Sequence, residues 1–438
     1  MKKTDNFPKS SLFNKLLLVV VLLVVGIIVV FLLNYKGAIP FKKQVPENKY
    51  MAFIDEVYDT IKENYWEKIS DEQLGEVYVL AAEKITEQTL NLESKDRDSV
   101  RKMLEKIISE KESADQKKEF VVLISDIVLV NLKPFSRSRL YTQKMEENLQ
   151  NNVNNINPDI NHYENLGLKK EASTSGIKKA FVEKSAFWNP DTNKTPEAKE
   201  KYEEVQQAYK VLGDQESRKT YDISGVEPTM DYKLVRPNIF YIHINKFSPT
   251  TVEELDRVAK KTDSKPEVDT LILDLRDNVG GAIDGLVYFL GPFLGIDQYA
   301  YQFFHQDEKQ DFKTKAGWLP SLIRFKKVVV LINGGAQSSA EVMAASLKKY
   351  NVGILIGEKT KGWGTVERVF PLENQIDENE KHSMFLVHSL TLREDGQPIE
   401  GNGVEPTIDI NSADWKEQLF SYFHYDELGD AVEEVWRE

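Results

Sequence analysis

The 438-residue sequence has no cysteine and only 6 histidines. The first absence excludes disulfides, thiolate nucleophiles and cysteine metal sites, and leaves the redox compartment open. The histidines are scattered without ligand spacing, so neither a metal site nor a cofactor is expected. Basic charge is also scarce: 57 Lys and Arg stand against 70 Asp and Glu, a net charge of -13. No basic domain compensates for it, so nucleic acid is not an expected partner, because phosphate binding needs a basic surface. The length and the 41% hydrophobic content suffice for two or three domains.

One long run carries no charge at all. LLLVVVLLVVGIIVVFLL, residues 16 to 33, is long enough at about 1.5 Å per residue to cross most of a bilayer core. A cleaved leader would be shorter and end in small residues, so residues 15–35 read as an uncleaved signal anchor behind a short tail of residues 1–14. Lys2, Lys3, Lys9 and Lys15 precede the run and Lys36, Lys42, Lys43 and Lys49 follow it, which gives no charge bias. The short leading tail favours a single-pass protein of the cell membrane with its C-terminal domains outside the cytoplasm.

Residues 36–158 read as a helical N-terminal region. In FIDEVYDTIKENYWEKI, Phe53, Val57, Ile61 and Tyr65 share one helical face, and DEQLGEVYVLAAEKI predicts a second helix. A stalk or interaction region is the plain reading of that pattern. The Asn-rich LQNNVNNINPDIN, residues 149 to 161, marks a linker. Beyond it, SGIKKAFVEKSAF and EAKEKYEEVQQAYKVL form a helical hairpin about a polar turn with Asn189, Pro190 and Asp191.

This unit, residues 159–226, resembles a J-domain. The resemblance rests on Tyr163, Leu166 and Gly167, on Ile177, Ala180 and Phe181, on Tyr202, Ala208, Tyr209 and Leu212, and on Arg218, Tyr221 and Asp222. It implies a small all-α fold and a protein partner. J-domains carry His-Pro-Asp in the loop, and that histidine is required to stimulate chaperones of the seventy-kilodalton class. Here the loop reads Asn189-Pro190-Asp191, which favours a structural or peptide-docking role over membrane co-chaperone activity.

Residues 227–438 alternate strand and helix patterns. NIFYIHINKF, DTLILDLR, KKVVVLIN and VGILIGE read as strands, and TVEELDRVAKKT, AIDGLVYFLGPFLG and AEVMAASLKKY as helices. Such alternation implies an α/β fold with a mixed, mostly parallel sheet and flanking helices, whose ligands sit beyond the carboxyl ends of the strands. Two strand ends stand out. DLRDNVGG closes on paired glycines that let the backbone approach a ligand. NGGAQSSAEVMAA opens a helix, where a serine hydroxyl meets the positive helix end. Ser338 and Glu341 also fit a plain capping box, Ser339 could be the cap equally well, and paired glycines also make plain turns.

In order and spacing, FSPTTVEELDRV, LILDLRDNVGG, VVVLINGGAQSSAEVMAASL, GILIGEKTKGWGTVE and DGQPIEGNGVEPTIDI resemble the C-terminal processing (tail-specific) serine peptidases. The resemblance extends to the helices after the membrane run, including PFSRSRLYTQKMEENL. It implies a peptidase core of the ClpP/crotonase type that cuts extended polypeptide segments, with the J-like unit where that family carries a PDZ domain. It places the nucleophile on Ser338, the oxyanion donors on the amides of Gly280 or Gly281 and of Ser339, and supporting roles on Glu341 and Thr360.

The family activates its serine with a lysine, and that position holds Trp363, while the orienting glutamine position holds Glu367. Tryptophan accepts no proton, and losing the activating base costs on the order of 10⁶ in turnover. Lys361, two residues earlier, would face the same way on an extended segment at an offset of about 6.6 Å. It is therefore the provisional base, with Glu367 as its orienter. Without a working base the chain would instead be a pseudopeptidase that binds peptides as a scaffold.

Overall fold

The computed structural model describes residues 48–393 and 395–438. The apolar run at 16 to 33 lies outside the described residues. Among the described residues, no helix is long and apolar enough to cross a membrane.

Helices Lys49–Asn64, Asp71–Thr86, Arg97–Ser109 and Ala114–Val130 come first. Capping boxes start two of them, Ser70 with Gln73 and Ser113 with Gln116, which satisfies backbone N–H groups that the helix leaves open. Phe53, Val57, Ile61 and Tyr65 are buried, as their spacing predicts. The chain then forms β1 (Arg139–Thr142) and the helix Gln143–Val153. That helix takes in the first half of the predicted linker, since Thr142 caps it and nothing breaks it before Asn154.

The J-like unit has helices His162–Asn165, Thr174–Trp188, Ala198–Leu212 and Gln215–Ser224. Tyr163, Leu166, Ile177, Val205, Ala208, Val211 and Leu212 form its core. Its two ends are tied together: Ile156 bridges Val226, and the Glu227 amide donates to the Asn155 carbonyl at 2.9 Å.

The C-terminal domain supplies β2 (Met230–Arg236), β3 (Ile239–Ile244), β4 (Thr270–Asp274), β5 (Tyr299–His305), β6 (Glu308–Lys313), β7 (Lys327–Ile332), β8 (Ile354–Gly357), β9 (Thr365–Pro371), β10 (His382–Leu392) and β11 (Ile408–Asp409). One sheet has the order β11-β8-β7-β4-β3-β2, with every pair parallel except β2 with β3. This is the mostly parallel sheet that the alternation predicts. The helices Thr251–Lys260, Leu286–Leu294 and Ser339–Lys349 pack one of its faces, and Trp415–Phe423 and Asp426–Arg437 pack the other.

The second sheet is antiparallel. It has the order β1-β10-β5-β6, with β9 also on β10. It corrects the reading of the N-terminal region as a stalk: the core of those helices includes Leu372, Ile376, Met384 and Leu386 from β10 and the loop before it. Residues 50–142 therefore complete the C-terminal domain, joined to it by β1.

Candidate active site

The candidate nucleophile sits between β7 and the helix Ser339–Lys349. Ser338 is the residue before that helix, with φ 57° and ψ −124°. A side chain in this region of backbone space costs about 1–3 kcal/mol, which the surrounding bonds must hold. The Ser338 amide donates to Glu341 Oε2 at 2.9 Å and to the Trp363 carbonyl at 3.1 Å. Glu341 is fully buried and also accepts from Thr360 Oγ1 at 2.6 Å, from the Gly362 amide at 2.7 Å and from the Trp363 amide at 2.8 Å. Burial raises its pKa against the hydrogen bonds that lower it. Thr360 Oγ1 in turn accepts from the Val404 amide at 2.7 Å. Glu341 and Thr360 thus clamp the segment 360–363 against the start of the helix.

The paired glycines lie on the other side of Ser338. A Cβ at Gly280 would stand 2.7 Å from Ser338 Cβ, and one at Gly281 1.9 Å from the Phe247 carbonyl oxygen, so neither position admits a side chain. The two amides differ. Gly280 N–H donates to Asn278 Oδ1 at 2.8 Å and is occupied. Gly281 makes no bond to Phe247 with its own N–H, because that bridge uses the Gly280 carbonyl and the Ala282 amide. Its N–H therefore points with its C=O, which accepts from Ser339 Oγ at 3.1 Å. The Ser339 amide belongs to the open N–H groups of the helix start. Of the expected oxyanion donors, the amides of Gly281 and Ser339 take part in none of the described hydrogen bonds, and that of Gly280 is held by Asn278.

Lys361 does not do what its spacing suggests. Its side chain is exposed, its Nζ donates to Gln337 Oε1 at 2.7 Å, and it lies 5.0 Å from the centre of the Trp363 ring. Its backbone explains this: the Lys361 amide donates to the Ala336 carbonyl and Gly362 then turns at φ 79°, so residues 361 and 363 are not two steps along one strand. Lys361 as provisional base, and Glu367 as the holder of its ammonium, are both corrected. Glu367 Oε1 accepts from Thr365 Oγ1 at 2.6 Å, and the carboxyl also meets the Trp363 indole. Burial raises its pKa.

Trp363 is built into the site. The Arg137 guanidinium lies 3.2 Å from the centre of its ring and pairs with Glu400 at 3.3 Å. Glu400 also accepts from the Gly364 amide at 2.8 Å. Arg137, from the loop before β1, thus covers the indole, and Glu400, from the loop after β10, holds Arg137 and the Gly364 amide; neither is marked by any local pattern.

A cleft of about 550 Å³ opens on Ser338. Gly281, Gln337, Trp363, Thr365 and Glu367 line one part of it, and Leu149, Asn152, Val153 and Lys246 another. Lys246 escaped the reading of the sequence. Its position just past the carboxyl end of β3 was the available signal. Its Nζ donates to the Asn152 carbonyl at 2.5 Å and to Asn152 Oδ1. Burial lowers its pKa, opposed by the charge of Glu227.

The J-like loop is self-contained. Asn189 Oδ1 accepts from the Asp191 amide at 2.8 Å, and Pro190 follows it in an exposed turn. Among the described residues no group of His, Cys, Asp and Glu is arranged to hold a metal.

Two family models match the chain: peptidase family S41 over residues 238–410 and the DnaJ domain over residues 161–222. The carboxy-terminal-processing protease of Bartonella bacilliformis is 29% identical over 201 residues, 42% of this chain and 44% of that protein. The carboxy-terminal processing protease CtpB of Bacillus subtilis is 28% identical over 183 residues, 41% of this chain and 35% of that protein. The chaperone protein DnaJ of Levilactobacillus brevis is 53% identical over 60 residues, 14% of this chain and 16% of that protein. The chain spans less than half the length of each of these relatives. With Ser338 clamped at its helix start in the first segment and the helical hairpin about Asn189 in the second, the chain carries a peptidase family S41 domain and, inserted before it, a DnaJ domain.

Proposed function

We propose that the protein is a serine endopeptidase of the C-terminal processing type, anchored in the cell membrane by residues 16 to 33 and cutting extended or unfolded polypeptide segments outside the cytoplasm. The observation that carries the activity is Ser338, held at φ 57° at the floor of a cleft beside the free amides of Gly281 and Ser339. A serine Oγ there can attack a peptide carbonyl whose oxygen, as it gains charge, meets two N–H donors at a helix start. The strain at Ser338 is paid through Glu341, which ties both its amide and the 360–363 segment in place. The open cleft suits an extended chain, and the apolar run of the sequence supports the anchor.

The test is cleavage of a disordered protein by the full chain in detergent. Wild type cuts and Ser338→Ala falls to background, a loss on the order of 10⁶-fold. A Ser338→Ala protein that cuts as fast as wild type removes the proposal.

One observation favours a second reading. Trp363 stands where the relatives' base is placed by resemblance and is packed under Arg137, as in a site retained for binding. A pseudopeptidase that holds peptides in this cleft would bind the disordered protein without cutting it. A co-chaperone role has less support, because the exposed loop presents Asn189.

A further inference from the structure

We propose that Lys246 is the general base for Ser338, taking the place of the lysine that Trp363 displaces. The inference rests on the peptidase reading above and concerns the one step which that reading leaves open. Four groups near the serine could accept its proton, and the structure separates them: buried Glu341 is held by the Ser338, Gly362 and Trp363 amides and by Thr360 Oγ1. Lys361 is exposed, bound to Gln337, and does not line the cleft. Glu367 lines the cleft, but its carboxyl is engaged by Thr365 Oγ1 and the Trp363 indole and stands in the field of Arg137. Lys246 is the remaining titratable side chain lining the cleft, and the one amine there.

The backbone brings it close. Lys246 precedes Phe247, whose amide donates to the Gly280 carbonyl and whose carbonyl accepts from the Ala282 amide, each at 2.9 Å. Gly280 in turn packs directly on Ser338. Lys246 thus sits on the chain segment next to the paired glycines, which are next to the serine. Its flexible four-carbon stem can swing within the cleft. Its resting partners are the two oxygens of Asn152, in the last turn of the helix Gln143–Val153. Among the described residues it forms no salt bridge. The charge that acts on it is Glu227, which favours the ammonium, and Glu367 lines the same cleft. A half-buried amine with neutral partners is easier to deprotonate than a surface lysine, which is what a lysine base needs.

The step balances without any further reactant. Neutral Lys246 Nζ takes the proton from Ser338 Oγ as Oγ bonds to the peptide carbonyl carbon. The resulting ammonium gives that proton to the departing amine when the C–N bond breaks. Water then attacks the acyl-enzyme, Nζ takes its proton, and the proton returns to Ser338 Oγ as the new carboxyl end leaves.

The experiment measures kcat/KM against pH on a disordered protein, with full-length wild type, Lys246→Arg, Lys246→Met, Lys361→Met and Glu367→Gln. Arginine keeps donors for Asn152 but does not deprotonate, so a merely structural cation is preserved in it. The expected result is an ascending limb in wild type with its midpoint below the ordinary lysine value of 10.5. Lys246→Arg and Lys246→Met each lose on the order of 10⁶-fold, as expected for loss of the base that activates a serine, and Lys361→Met keeps wild-type activity. Lys246→Arg with wild-type activity overturns the base while leaving the peptidase intact. Loss of the limb in Glu367→Gln with Lys246→Arg still active moves the base to Glu367. A folded wild type that cuts nothing overturns the peptidase and the base together.

Should the Lys246 variants not fold, wild type alone decides. Acetylation of each lysine, followed against pH by mass spectrometry, is expected to show Lys246 titrating below the surface lysines. Titration together with them overturns the inference.

Discussion

The J-like loop holds Asn189 and the peptidase cleft holds Trp363 where the resemblances place a histidine and a lysine, and the structure surrounds the two residues differently. Asn189 stands where the resemblance places histidine, half-buried at the start of a turn whose hydrogen bonds close on themselves. Trp363 stands where the resemblance places lysine, and its ring has the Arg137 guanidinium and the Glu367 carboxyl as partners. A lost chemical group on an exposed loop leaves the fold around it unchanged. A lost group inside a cleft must be replaced by packing, because the space and the polar atoms around it would otherwise be unsatisfied.

That contrast can be broken or sharpened at three positions. The largest effect is expected from Trp363→Ala, which removes a half-buried indole and leaves Arg137 without its aromatic face; a loss of about 2–3 kcal/mol in urea unfolding checks it. A loss below about 0.5 kcal/mol would show that the tryptophan is not built in.

An intermediate effect is expected from Glu367→Gln, and it depends on pH. Burial holds the folded pKa of Glu367 above its ordinary value of 4.5. The stability linked to its proton is therefore fully present below that ordinary value and is lost as pH rises through the raised folded value. Glutamine does not titrate and can still accept from Thr365. The variant should gain stability relative to wild type as pH rises above 4.5, and a difference that stays constant across that rise contradicts the assigned burial. Glu341 shifts in the same direction but is common to both proteins.

The smallest effect is expected from Asn189→His. It restores the family residue in an exposed turn and should change the melting temperature by no more than about 0.5 kcal/mol allows. A larger drop would mean that the Asn189 turn supports the unit, and a gain in stimulated ATPase of a seventy-kilodalton chaperone would show that only the histidine was missing.

Much of this was legible in the sequence. The parallel strands β3, β4, β7 and β8 read correctly because buried parallel strands are short apolar runs, whereas β5 and β6 between them were missed. Ser338 and Glu341 are three residues apart on one helix start, so their bond is local. The J-like core follows from its own spacing for the same reason. The antiparallel sheet was missed because β9 and β10 are joined by a polar loop without a strong turn signal, and β1 reaches its partner across more than two hundred residues.

Sequence by itself determined the helical hairpin about Asn189 and the serine at the helix start, since each depends on residues close together in the chain. Only the tertiary structure decided what surrounds that serine. It turned Lys361 outward through the bend at Gly362, brought Arg137 over Trp363 from the N-terminal helices, and set Lys246 in the cleft from the end of a different strand. Hydrogen bonds and charge contacts between segments far apart in sequence leave no period and no spacing behind, so they become visible only when the chain has closed around them.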